Sequence, residues 1–166
     1  MRNRYYLIAM LIMVMDHLSK WLVTLKLPNS PIELIPGYLR LSIVYNTGVA
    51  FGFFAGDKSA WKPYVLAAMA VAALVVIFLY SKHMPADRYL LQSALAVTMG
   101  GILGNFVDRI SRAYVVDFIE FHIHDSFYFP NFNLADSAIT IGVALLLIDT
   151  VHSPGVEATE PTADSQ

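Results

Sequence analysis

The sequence contains no cysteine and few charged residues. Without cysteine the chain has no disulfide framework, no thiolate nucleophile and no cysteine-based metal site. Charged residues make up 14% of the 166 positions, whereas about 25% is usual in soluble proteins. The eleven Lys and Arg are scattered and the net charge is −2, so no basic patch for a nucleic-acid partner is expected. A hydrophobic fraction of 57% and a mean hydropathy of +0.55 indicate an integral membrane protein.

Four apolar stretches approach the roughly 20 residues needed to cross a bilayer core. They cover residues 5–25, 64–80, 89–107 and 134–151. Arg2 and Arg4 precede the first stretch, which would also suit a cleaved signal peptide, but no small-residue cleavage site follows it. The sequence therefore predicts an all-α membrane protein with four transmembrane helices.

Four spans put both termini on one side of the membrane and both long loops on the other. The long loops contain more Lys and Arg than the terminal side, so a count of basic residues does not support cytoplasmic termini. The first helix usually dominates orientation, however, and Arg2 and Arg4 precede it. We therefore predict that both termini are cytoplasmic.

The two long connections and the carboxyl-terminal tail differ in pattern. Within 33–57, Leu39, Leu41, Ile43 and Tyr45 alternate with other residues, which predicts a half-buried strand and a small sheet outside the membrane. Residues 109–131 are too charged to span and too apolar to be freely solvated, and this predicts a segment lying along the interface. Residues 153–166 have no apolar period and are expected to be disordered.

Polar residues inside the predicted spans are informative because isolated charges in a membrane are costly. Asp16 and Lys20 are four residues apart, so they share one helix face and are expected to pair. Such a pair could simply clamp two helices together. In the third span Ala96, Gly100 and Gly104 recur at every fourth residue, a stripe typical of close helix packing.

The fourth span begins with Asn133, a plausible helix cap, and Asp136 lies in its first turn. Capping alone would explain both residues. Asp136 could also face Asp117 or Glu120 in the connecting segment. Two neighbouring carboxyl groups do not both ionise easily, which leaves one acid and one base to act on a water molecule, as in aspartic peptidases.

Two further groups allow other interpretations. Asp108 follows the third span and could form a helix-end ion pair with Arg112. His122 and His124 would point to one side of a strand, but two histidines without an assured third ligand are a weak metal pattern. We expect no metal and no cofactor, since no phosphate-binding loop or nucleophile elbow is present either.

Five motifs occur in order along the chain: "DHLSK", "VYNTGVAFGFF", "GGILGNFVDRI", "VVDFIEF" and "FNLADSAITIG". Together, on a four-span chain of this length, they make the sequence resemble the lipoprotein signal peptidases (signal peptidase II) of bacteria. The resemblance covers nearly everything from the first span to the end of the fourth. It implies a membrane aspartic endopeptidase that removes the signal peptide from prolipoproteins, cutting before a cysteine that already bears diacylglyceryl.

The resemblance also assigns roles to particular residues. It implies that Asp117, rather than Glu120 or Asp108, is the catalytic partner of Asp136. It further implies a set of residues that line or support the site: Asn46, Asn105, Arg109, Asn133, Asp16 and Lys20. The strand-forming loop would be the β-cradle of the family, and the family's orientation places both termini in the cytoplasm.

The implied partners are a lipid-modified prolipoprotein and membrane lipid, and we expect a monomer in the bacterial inner membrane with its site toward the outer face. Two other classes remain possible from the residues alone. A small proton- or ion-coupled transporter could use Asp16, Lys20 and Asp136 as relay sites, although no internal repeat or broken helix pair marks a midplane site. A membrane scaffold would need none of these acids.

Overall fold

The computed structural model describes residues 2–28, 30–48, 61–124 and 126–152. Its helices are α1 (Asn3–Lys26), α2 (Lys62–His83), α3 (Tyr89–Arg112) and α4 (Leu134–His152). All four are long and apolar enough to cross a membrane, which confirms the four predicted spans. α3 continues to Arg112, where Ala113 ends it in a left-handed conformation. Asp108 and Arg109, which follow the apolar stretch 89–107, therefore lie within the helix.

α3 is the central helix and packs against each of the other three. Its stripe of small residues faces α1, as expected for close packing. A Cβ at Gly100 would lie 2.7 Å from the backbone oxygen of Ala9, and one at Gly104 would lie 2.6 Å from a carboxylate oxygen of Asp16. The stripe therefore brings the polar residues of α1 directly against α3.

A four-stranded antiparallel sheet lies at the end of the bundle where α3 ends and α4 begins. Its order is β1 (Ile32–Ile35), β2 (Leu39–Asn46), β3 (Val115–Ile123) and β4 (Phe127–Tyr128). β2 confirms the strand predicted from alternation. β3 lies within the predicted interfacial segment, and its first four residues are all buried, which hides the alternation of an ordinary surface strand. Residues 49–57 of the predicted cradle and the tail 153–166 lie outside the described residues.

Backbone pairing brings the start of α4 to the edge of this sheet. Val44 of β2 lies opposite Asp117 of β3. Phe132 exchanges two backbone hydrogen bonds with Ile119, each 2.9 Å long. Because Phe132 directly precedes Asn133, the first turn of α4 is held beside β3.

Candidate active site

The first turn of α4 is closed by a reciprocal cap between Asn133 and Asp136. The backbone N–H of Asp136 donates to Asn133 Oδ1 at 2.9 Å, and the backbone N–H of Asn133 donates to Asp136 Oδ2 at 3.2 Å. This arrangement satisfies two amides that a helix N-terminus leaves unpaired. The predicted cap at Asn133 is confirmed, and it fixes the position of the Asp136 carboxylate.

Two asparagine side chains hold the carboxylate of Asp117 in β3. Asn46 Nδ2 donates to Asp117 Oδ2 at 2.9 Å, and Asn133 Nδ2 donates to Asp117 Oδ1 at 2.6 Å. Asp117 itself is 2% exposed. Asn133 thus contacts both aspartates, through its side chain to Asp117 and through its backbone to Asp136.

Asn105 of α3 completes the set of amides. Its Nδ2 donates to Asp136 Oδ1 at 2.7 Å, while its Oδ1 accepts from Asn133 Nδ2 at 3.1 Å. One continuous network therefore runs from Asp136 through Asn105 and Asn133 to Asp117. Elements distant in sequence, β2, α3, β3 and α4, each supply at least one member.

The two aspartates line one cavity of about 1020 Å³, together with Asn46, Asn105 and Arg109. Arg109 is anchored by a bond from its Nη1 to the backbone oxygen of Asn105, 3.2 Å long. The remaining wall is mostly apolar, with side chains from α2, α3 and α4: Leu66, Met69, Ala70, Ala73, Ile102, Ile139 and Ile141. One part of the cavity is therefore lined by polar and acidic side chains, and the rest is lined by apolar side chains of the helices.

Burial raises the pKa of Asp117 from about 3.8 to about 6. Hydrogen bonds from Asn46 and Asn133 oppose this rise, and repulsion by Asp136 adds to it. Asp136, by contrast, lies in the first turn of a helix, where the helix dipole favours a negative charge. The surroundings of the two carboxyls therefore favour a proton on Asp117.

Asp16 and Lys20 are fully buried behind Asn105, away from the cavity wall. Their predicted pairing is confirmed by a 2.7 Å contact. Asp16 Oδ1 also accepts from the backbone N–H of Ala135 at 2.9 Å, so α1 binds the first turn of α4 directly. The pair links helices, as a clamp would, and also contacts the residues that flank the aspartates.

Asp108 is a member of this buried group that the sequence analysis did not place there. Its Oδ2 lies 2.8 Å from Lys20 Nζ, whereas Arg112 lies 3.8 Å away. The expected pairing with Arg112 is therefore the weaker of the two contacts. Asn105 and Asp108 are three residues apart and so share one helix face. This spacing is the sequence signal that could have predicted that Asp108 lies in the same buried group.

Glu120, the alternative partner for Asp136, lies on the opposite face of β3 and forms an ion pair with Arg40 at 2.6 Å. His122 stacks on Tyr128 and lies 3.3 Å from Glu33. Within the described ranges, no group of three or more His, Cys, Asp or Glu could hold a metal ion. These side chains instead connect the strands of the sheet.

Comparisons with known proteins agree with this architecture. A lipoprotein signal peptidase of Symbiobacterium thermophilum is 43% identical over 87% of this chain and 91% of its own length. The corresponding protein of Pseudomonas aeruginosa is 40% identical over 88% of this chain and 86% of its own. A solved structure of a bacterial membrane enzyme superposes with a TM-score of 0.78 at 28% identity, over 95% of this chain and 93% of that one.

The family model described as "Signal peptidase (SPase) II" matches residues 8–152. This range contains the sheet, both cavity aspartates and all four helices except the first five residues of α1. An enzyme family is thereby shown, and neither the transporter nor the scaffold interpretation is supported. From its sequence, its fold and its site, the chain belongs to the signal peptidase II family of membrane aspartic peptidases, the lipoprotein signal peptidases.

Proposed function

We propose that this enzyme cleaves the signal peptide from diacylglyceryl-modified prolipoproteins, on the amino side of the lipidated cysteine, with Asp117 and Asp136 as its catalytic pair. The observation that supports this most directly is that Asn133 hydrogen-bonds both aspartates where they line one cavity. No cofactor is needed for this chemistry. All of the groups come from one chain, which is consistent with an active monomer.

In this mechanism Asp136 is the ionised partner and takes a proton from a water molecule. Asp117 is protonated and donates a hydrogen bond to the oxygen of the scissile carbonyl. As the water oxygen attacks the carbonyl carbon, Asp117 transfers its proton to the carbonyl oxygen, which gives a tetrahedral diol. The C–N bond then breaks while Asp136 passes the proton that it took from water to the leaving nitrogen, and one hydroxyl of the diol returns a proton to Asp117. The products are a carboxylic acid on the signal peptide, which ionises in water, and a free amino group on the lipidated cysteine. No covalent enzyme intermediate forms.

The asparagines and Arg109 would position the reacting groups. Asn46, Asn105 and Asn133 each donate an N–H to an aspartate, and displacement of such a group by about 1 Å can cost on the order of 100-fold in rate. Arg109 shares the cavity with both acids. We propose that its guanidinium binds the peptide backbone or the lipid ester near the scissile bond.

The apolar wall of the cavity suits the substrate. The core of a signal peptide is an apolar helix that prefers lipid, and two acyl chains keep the modified cysteine near the membrane surface. Side chains of α2 such as Met69 and Ala73 line the cavity opposite α4. Selection would then depend on small residues before the cleavage point and on the lipid itself.

The test uses purified enzyme and a synthetic peptide whose cysteine bears diacylglyceryl, with mass spectrometry of both products. Asp117→Asn and Asp136→Asn should each lower kcat by at least about 1000-fold, because each removes one proton-transfer group. Asp87→Asn, in an exposed turn between α2 and α3, is the matched control and should keep wild-type activity. Substantial cleavage by Asp136→Asn would refute the pair.

Two further measurements check the chemistry. Cleavage in H₂¹⁸O should place one ¹⁸O in the carboxylate of the released signal peptide, as direct attack by water requires. Activity should be unchanged by EDTA. Inhibition by EDTA that zinc restores would instead favour a metal site at His122 and His124.

We also propose that both termini are cytoplasmic and that the sheet and the cavity face the outer side of the inner membrane. The absence of cysteine permits a direct test with single-cysteine variants. Ser126→Cys, between β3 and β4, should react with a membrane-impermeant maleimide in intact spheroplasts. Lys82→Cys, at the other end of the bundle, should react only after permeabilisation, and the reverse pattern would overturn the orientation.

A further inference from the structure

Lys20 places a buried positive charge directly behind the amides of the site. Its Nζ lies 2.7 Å from Asp16 Oδ2, 2.8 Å from Asp108 Oδ2 and 3.1 Å from Asn105 Oδ1. Lys20, Asp16 and Asp108 are all 0% exposed. A charge so completely buried is costly unless its contacts compensate, and an ammonium group can only donate hydrogen bonds.

The contact with Asn105 matters because an amide has two different ends. Asn105 Oδ1 faces Lys20, and its Nδ2 faces Asp136 Oδ1 at 2.7 Å. If the amide turned over, its oxygen would face the carboxylate and its N–H₂ would face the ammonium, which is unfavourable at both ends. Lys20 therefore determines that Asn105 offers Asp136 a donor, which stabilises an ionised carboxylate.

The other two asparagines are oriented in a similar way by backbone amides. Asn133 Oδ1 accepts from the N–H of Asp136, and Asn46 Oδ1 accepts from the N–H of Gly48 at 2.8 Å. Asn133 Nδ2 also reaches Asn105 Oδ1 at 3.1 Å, but a charged donor forms the stronger bond. Among these orienting donors, Lys20 is the charged side chain and can be replaced by mutation.

We propose that Lys20 is a positioning residue that, through Asn105, makes Asp136 the ionised member of the catalytic pair. This inference rests on the proposed function, because it concerns how the two aspartates divide their roles. Lys20 touches neither the cavity nor the reacting atoms. Its positive charge also acts on Asp117 through space and lowers the pKa of that carboxyl, whereas the effect on Asp136 proposed here passes through one amide, whose orientation Lys20 fixes.

Several other charged groups surround this network and must be considered in any pH experiment. On α1, His17 lies 3.9 Å from both Asp16 and Asp108. On α3, Arg112 lies 3.8 Å from Asp108, and Arg109 lines the cavity with both aspartates. Asp117 of β3 lines the same cavity as Asp136, and the two carboxyls repel each other. A variant that changes the net charge of the cluster would therefore affect the aspartates by field alone.

The first test variant is Lys20→Met. We expect kcat to fall about 10- to 100-fold with KM changed less than about twofold, because the lost bond acts on a reacting carboxylate rather than on the substrate. The acid limb of the kcat/KM profile should move to higher pH, since the ionised form of Asp136 loses its oriented donor. If Lys20→Met had the kcat of the wild type and the same acid limb, the proposal would be overturned.

Lys20→Met leaves two buried carboxylates without their counter-ion and could fail to fold. The second variant, Lys20→Met with Asp108→Asn, removes one positive and one negative charge and keeps the net charge of the cluster. It still lacks the donor to Asn105. We expect the same loss of kcat and the same displaced acid limb. A double variant with wild-type kcat and profile would show that Lys20 is only a counter-ion, which would overturn the proposal.

A matched control separates positioning from general destabilisation. Arg88, which directly precedes α3, forms an ion pair of 2.7 Å with Asp149 of α4 at the other end of the bundle. Arg88→Gln with Asp149→Asn should lower Tm but leave the acid limb in place, and an equal displacement there would overturn the proposal. Failure of the catalytic pair is recognised separately, because only then would Asp136→Asn remain active.

Discussion

Asn46→Leu tests how the site sets the proton affinity of Asp117. Asn46 Nδ2 donates to Asp117 Oδ2 at 2.9 Å, and this bond lowers the pKa of a carboxyl that burial raises to about 6. A hydrogen bond to a charged group is worth about 1.5–3 kcal/mol. We take the lower end because Asn46 is partly exposed. Since one pH unit corresponds to about 1.4 kcal/mol, losing the bond should raise the pKa of Asp117 by about one unit.

The proposed mechanism needs Asp117 protonated, so activity is lost as the pH rises through its pKa. For the wild type, the alkaline limb of kcat/KM should lie near pH 6, where the free enzyme loses this proton. In Asn46→Leu the limb should move to about pH 7, even though kcat itself falls.

The assay is the initial rate of cleavage of a diacylglyceryl-modified peptide in detergent micelles, measured at low substrate concentration across pH 4 to about 9. Asn131→Leu is the matched amide control. Asn131 lines the same cavity, but its Nδ2 donates to the backbone oxygen of Ser42 at 3.0 Å. Asn131→Leu should leave the alkaline limb of kcat/KM at the pH of the wild type. An alkaline limb that does not move in Asn46→Leu, or that moves to lower pH, would refute the reasoning.

Two more predictions concern stability. Because the pKa of Asp117 is higher in the folded protein than its ordinary value of about 3.8, its contribution to stability is present below that pH and lost as the pH rises through about 6. Asp117→Asn should therefore be the more stable form above pH 6, by about 1–2 kcal/mol rather than the full ~3, since an amide cannot accept both of the existing bonds. Tm measured at pH 4 and pH 8 should show this gain only at pH 8, and a gain equal at both would contradict it. Gly104→Ala would place a Cβ 2.6 Å from Asp16 Oδ2, and should cost about 1–3 kcal/mol. It should also lower activity at least tenfold by displacing Asp16 from the Ala135 amide. Gly142→Ala, which crowds Thr98 instead, should lower Tm without that loss, and equal losses of activity would argue against a specific role for Asp16.

The sequence could predict β2 but not its principal partner. Leu39, Leu41, Ile43 and Tyr45 alternate because β2 has two different faces. β3 is covered on both faces along its first half, so Val115, Val116 and Phe118 are all apolar and no period of two appears. A run of this kind surrounded by charged residues resembles an interfacial segment. Only the tertiary pairing of these residues with β2 and Phe132 distinguishes a buried strand from an interfacial segment.

In the site, too, the sequence predicts local contacts but not the contacts between distant segments. The cap formed by Asn133 and Asp136 and the pairing of Asp16 with Lys20 are local, within four residues, so helix geometry alone predicted them and the structure confirms them. The resemblance, rather than any spacing, selected Asp117 over Glu120. The reason becomes visible only in the sheet, where the two residues point to opposite faces.

By itself, the sequence determined the membrane class, the four spans and the local contacts within helices, because apolar length and helical spacing are properties of short segments. Only the tertiary structure decided which polar residues meet across those segments. It placed Lys20 of α1 against Asp108 and Asn105 of α3, and it held Asp117 and Asp136 on one asparagine. These contacts join residues far apart along the chain, and their partners depend on how the helices and the sheet pack together, which no short segment of sequence specifies.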